Sequence, residues 1–146
     1  MESTRKGCTC VGKYTDLIGC PFVVSGRDYH TGLDCYGLAE EVFRRFGKEI
    51  PEYDEDYHDK EAVTKTMRGG LSCKCWKKVK DGQEPPTPSL MAIRFGVPAP
   101  FINHVGIYIG NGKFIHTREN TGVVIESTES PVWRHVIEGY YEYVGE

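Results

Sequence analysis

The sequence predicts an α+β domain in which one amphipathic helix is followed by a run of short antiparallel strands. Two observations predict it. An apolar stripe of helical period runs from Leu38 through Val42 to Phe46, with Ala39 and Phe43 on its flank. Further along, residues 103–109 and 113–117 alternate about Gly110-Asn111-Gly112, the signature of a β-hairpin. With 146 residues the chain has the length of one domain, and none of its stretches approaches a membrane span. A net charge of −3 gives no reason to expect nucleic acid or an anionic membrane as partner.

Residues 1–12 are polar and glycine-punctuated and read as a flexible arm, with residues 13–146 as the domain. Residues 14–21 form a helical turn stopped by Gly19 and Pro21, and residues 22–24 are β-prone. Residues 25–32 are loop. The helix spans about 34–46. Asp34 is a good N-cap, Gly47 a good stop, and Glu40/Arg44 and Glu41/Arg45 are i,i+4 pairs on the polar face. Residues 50–59 read as an exposed acidic connection in which Tyr53 and Tyr57 are placed to cover a groove. Residues 60–67 read as a short helix closed by Gly69-Gly70. After a proline-rich loop at 81–88, strands are expected at 90–95, 103–109, 113–117, 123–126 and 140–144.

Cys35 falls in the first helical turn, where unpaired N–H groups and the positive end of the helix dipole favour a thiolate. In the hairpin, a three-residue loop puts Ile107 opposite Ile115 and Ile109 opposite Lys113. His104, Gly106 and Tyr108 then share the other face with Arg118, His116 and Phe114. His104 and His116 become diagonal neighbours, with Gly106 leaving room. A histidine near a thiol takes its proton, and a second polar group holds that histidine in one tautomer. Cys35, His104 and His116 can fill those roles if the helix faces the hairpin. His30, His58 and His135 have no such context, and Trp76 and Trp133 read as core or groove walls.

The other cysteines are 8, 10, 20, 73 and 75. Their two Cys-x-Cys pairs depart from the Cys-x-x-Cys of structural zinc, so reduced thiols without metal are expected, and no cofactor. The N-terminus lacks the apolar core of an export signal, so synthesis in the cytoplasm without a signal peptide is expected.

Gly32-Leu33-Asp34-Cys35-Tyr36-Gly37-Leu38, followed about 70 residues later by residues 104–112 and Phe114-Ile115-His116, resembles the NlpC-type cysteine peptidases. The resemblance runs from about Leu17 to Trp133. It implies a papain-like α+β fold that hydrolyses the stem peptides of peptidoglycan, usually at the γ-D-glutamyl bond to a diamino acid. Cys35 then matches the nucleophile, His104 the general base and His116 its orienting partner. Asp34 matches a residue that binds the amino end of the stem peptide, and Tyr36, where a serine is common, is expected to bind substrate with it. Phe22 stands where many members carry a tyrosine, so its hydroxyl is missing. Thr87-Pro88-Ser89 replaces the usual Pro-Gly-Asp strand entry. The Asp-Cys-Tyr-Gly-Leu form looks like phage or prophage tail-associated members, which implies tail proteins as partners and action at the bacterial wall. An amidase or acyltransferase of the same fold, and a non-catalytic assembly module, are the competing readings.

Overall fold

The computed structural model describes residues 13–52, 64–65, 68–70 and 74–145. The elements described below follow from local signals in the sequence. A 3₁₀ turn at Thr15–Leu17 buries Leu17. Two two-residue strands, β1 (Arg27–Asp28) and β2 (Gly32–Leu33), pair into a ribbon where loop was expected. The β-prone residues 22–24 contribute only a bridge, Phe22 beside Leu33.

Helix α1 (Cys35–Arg45) begins as expected, with the Asp34 carboxylate accepting from the Gly37 N–H at 2.7 Å. Its end is a Schellman closure. Gly47 at φ 83° lets its own N–H reach the Arg44 carbonyl and lets the Lys48 N–H reach that of Phe43. The Glu41 carboxylate, itself buried, bonds both Arg44 and Arg45, while Glu40 is paired with Arg27 and not with Arg44 as expected. Residues 64–65 and 68–70 are helical, so Gly69 and Gly70 lie within the turn they were expected to close. Thr64 anchors that segment through its hydroxyl, which bonds both the N–H and the carbonyl of Ile102 at 2.9 Å.

The rest is a six-stranded antiparallel sheet: β3 (Trp76–Lys78), β4 (Ser89–Ile93), β5 (His104–Gly110), β6 (Lys113–Arg118), β7 (Gly122–Ser127) and β8 (Ile137–Tyr143). The spatial order is β3-β8-β4-β5-β6-β7, so the final strand is drawn into the middle beside β4. The expected hairpin forms with Ile107 opposite Ile115. It closes differently from expectation, because Gly110 rather than Ile109 pairs with Lys113 and a bulge takes up the extra residue. Positive φ at Gly110, Asn111 and Gly112 permits it.

Side-chain alternation gives the sheet two apolar faces. Val105, Ile107, Ile115 and Val123 join Leu38, Ala39, Val42 and Phe43 of α1 in the main core, with α1 laid across β5 and β6. Met91, Ile93, Tyr108, Phe114 and Trp133 make a second cluster. A helix buried on one stripe against a sheet is the α+β arrangement expected. Among the described residues no helix is long and apolar enough to cross a membrane. The expectations for residues 1–12, for Tyr53 and Tyr57, for His58 and for Cys8, Cys10 and Cys73 lie outside the described residues.

Candidate active site

Cys35 is the first residue of α1 and His104 the first of β5, and both line one cleft where the helix start meets the end of the strand. Both are almost wholly buried, at 3% and 5% exposure. The ribbon of β1 and β2 holds the helix start. The Gly26 carbonyl accepts from the Asp34 N–H and stands where Gly37 would carry a side chain; a Cβ there would fall 2.1 Å from that oxygen. The glycine of the Asp34–Leu38 motif is therefore a site of backbone contact.

His104 and His116 meet as the hairpin face predicts, with His104 Nε2 at 2.9 Å from His116 Nδ1. The chain of contacts continues to a residue that sequence reasoning missed. His116 Nε2 lies 2.7 Å from the Glu126 carboxylate, whose other oxygen accepts from the Trp133 indole N–H at 3.0 Å. Glu126 sits on β7 opposite Phe114, one diagonal step from His116. The strand at 123–126 was legible, and its pairing with β6 is what the pattern lacked. Trp133 stacks over His104 and stands edge-on to His116, which makes it a wall of the histidine pair. Gly106 leaves the room expected of it, since a Cβ there would sit 3.0 Å from Phe114 and 3.5 Å from His116 Cβ.

Electrostatics assign the protons. Burial, then the neighbouring His116 and Arg118, hold His104 well below the ordinary histidine range. Burial also lowers His116, against the upward pull of Glu126. Burial pushes the Glu126 carboxyl up, but hydrogen bonds from His116 and Trp133 outweigh it and leave it below the usual range. Both imidazoles are then neutral beside a carboxylate. Glu126 only accepts, so His116 carries its proton on Nε2 and accepts at Nδ1. His104 must donate from Nε2, which leaves its Nδ1 with the lone pair.

Asp34 and Tyr36 are not among the residues lining this cleft. Asp34 is wholly buried, capping α1 and ion-paired with Arg27 at 2.5 Å. The Tyr36 hydroxyl donates to the Pro51 carbonyl. Phe22 does line the cleft, so the position without a hydroxyl belongs to the site. Cys75 is disulfide-bonded, against the reduced-thiol expectation, whereas Cys20 and Cys35 keep thiols. Among the described residues no cluster of three or more His, Cys, Asp or Glu is placed to hold a metal ion.

A buried cysteine at a helix start, one cleft shared with a histidine, and a second histidine behind it agree with a match over residues 19–141 to the NlpC/P60 family. The chain belongs to the NlpC/P60 family. It is 31% identical over 123 residues to the Murein DD-endopeptidase MepS/Murein LD-carboxypeptidase of Escherichia coli (strain K12), covering 84% of this chain and 55% of that protein. It is 26% identical over 116 residues to the Bifunctional muramidase/DL-endopeptidase CwlT of Bacillus subtilis (strain 168), covering 80% and 30%. The chain thus spans about half, or less, of these relatives. Among solved structures, an NLP/P60-family protein from Staphylococcus aureus shares the fold at a TM-score of 0.64 and 18% identity, over 93% of this chain and 40% of that one.

Proposed function

We propose that this NlpC/P60 chain is a cysteine endopeptidase that hydrolyses peptidoglycan stem peptides at the γ-D-glutamyl–diamino acid bond. The observation that carries the reading is the cleft shared by Cys35 and His104, with His104 Nε2 engaged by His116 and its Nδ1 left as acceptor. The relatives named for murein endopeptidase activity support the substrate class. They are named for different bonds, so the choice of bond rests on the motif resemblance.

In this reading His104 Nδ1 takes the Cys35 proton and the thiolate attacks the peptide carbonyl. The tetrahedral oxyanion forms beside the N–H groups at the start of α1. The protonated His104 then gives its proton to the departing amine, and the C–N bond breaks. Water attacks the resulting thioester, losing its proton to His104, and the thiol is regenerated as the carboxylic product leaves. His116 and Glu126 stay behind His104, fixing its tautomer and stabilising its charged form. An amidase or acyltransferase would share the steps up to the thioester and differ in the acceptor or the groove. The tail-associated role, with delivery to the wall by a virion, rests on the Asp-Cys-Tyr-Gly-Leu form alone.

The test is digestion of purified stem peptides by wild type and Cys35→Ala, with products identified by mass spectrometry. Cleavage at the γ-D-glutamyl bond by wild type alone is expected. Inactivity of both proteins on peptides and intact wall, with Cys35 inert to a thiol alkylator, would replace the peptidase with the assembly-module reading.

A further inference from the structure

Arg118 ends β6, two residues beyond His116, and lines the same cleft as Cys35 and His104. Its guanidinium carbon lies 5.2 Å from the Phe95 ring centre and 5.5 Å from that of Trp133. The rings hold the group by its faces and leave its N–H edge unanswered. Nε is buried with no hydrogen-bond partner, and the guanidinium acts on the Glu126 carboxylate only through space, with no ion pair to it within 4 Å among the described residues. A second unanswered group lines the same cleft from the other face of β6. Thr117 is wholly buried and lines the cleft, and its Oγ1 has no partner.

Buried donors without acceptors are costly, and a planar fork of N–H groups fits a carboxylate better than any other common anion of a peptide. Other groups on the cleft leave this role open. The Asn103 side chain is spent on the Phe95 backbone, donating to its carbonyl and accepting from its N–H, both at 2.7 Å. Glu119 lines the rim but is exposed, so water screens it. The Arg118 charge also acts against protonation of His104 and His116. An anion on Arg118 would offset that effect while His104 carries its proton.

We propose that Arg118 is a carboxylate-binding site that grips a free carboxylate of the substrate next to the scissile bond. The inference rests on the peptidase reading for its ligand. In a γ-glutamyl peptide two carboxylates qualify, the α-carboxylate of the glutamyl residue and the extra carboxylate of a diaminodicarboxylic acid. Both present the same chemistry to the guanidinium.

Binding tests it without turnover. Cys35→Ala protein is titrated calorimetrically with three synthetic peptides: L-Ala-γ-D-Glu-diaminopimelate, the same peptide with the glutamyl α-carboxylate as carboxamide, and the same peptide with lysine for diaminopimelate. One of the two altered peptides should bind about 10- to 100-fold more weakly than the parent, and which one identifies the carboxylate. Adding Arg118→Gln should weaken the parent by a similar factor and erase the difference between the peptides. Arg118→Lys should recover only part of it, since it keeps the charge and loses the fork. Discrimination that survives Arg118→Gln, equal binding of all three peptides, or binding of none would overturn the proposal. Failure of the peptidase reading shows separately, as absence of cleavage by wild type.

Discussion

His104 Nε2 lies 2.9 Å from His116 Nδ1, and this contact determines which nitrogen of His104 can act as a base. Two neutral imidazoles can share such a contact in either proton direction. The direction is set two steps away, because the Glu126 carboxylate can only accept from His116. The proton order Glu126–His116–His104 then points the His104 lone pair away from the pair. In the proposed mechanism the protons of the three residues Cys35, His104 and His116 are thus ordered by a fourth, Glu126.

Glu126→Gln is therefore expected to lower kcat by about 10- to 100-fold with little change in KM. A glutamine oxygen still accepts from His116, but its NH₂ can equally donate and reverse the proton order. Glu126→Asp, which keeps the charge on a shorter arm, should recover part of the loss. Single-turnover rates on a stem peptide measure both variants. Proton resonances of the imidazole N–H groups give a second readout, since wild type should show both on Nε2. A Gln variant with wild-type kcat and unchanged resonances would remove Glu126 from this role.

Much of this was legible in the sequence. The helix from Asp34, its stop at Gly47 and the face shared by His104 and His116 all depend on patterns confined to neighbouring residues. What escaped depends on pairing between distant segments. Glu126 looked like the end of a short strand because nothing local states that β7 opposes β6 with Phe114 facing Glu126. The ribbon of β1 and β2 was missed because two-residue strands carry no period. Asp34 and Tyr36 match substrate-binding positions by motif, and in the fold Asp34 is paired with Arg27 and Tyr36 with the Pro51 carbonyl, contacts that the motif does not state. Only tertiary packing decides which way such polar groups face.

Gly37→Ala is expected to destabilise the fold by at least about 3 kcal/mol, the upper part of the range for overpacking. The added methyl would meet the Gly26 carbonyl at 2.1 Å, and that oxygen also holds the Asp34 N–H and the Arg27 guanidinium. Backbone on both sides of the clash leaves no side chain to yield. Denaturant unfolding measures it. As a control, Gly69→Ala places its methyl in open space and should change stability far less.

Glu40 makes the dependence of stability on pH a test of the core. It is buried on α1, 3.6 Å from Arg27, with Oε2 lacking a partner. Burial, opposed by Arg27, raises its pKa from 4.5 to about 7. A raised carboxyl gives stability that is full below 4.5 and is lost as pH rises toward 7. The histidines act in the opposite sense. Both have lowered values, so their contribution is full above about 6.5 and is lost as pH falls below it. Glu40→Gln keeps the shape of the protonated acid and removes its titration. The variant should match wild type near pH 5 and exceed it at pH 8 by about 1 to 3 kcal/mol, the upper end being the full equivalent of the shift from 4.5 to about 7 before solvent screening. Thermal melts from pH 5 to 8 measure this. A variant equally destabilised at both ends would mean that the Arg27 pair outweighs the burial of the charge, and that Glu40 ionises normally in the fold.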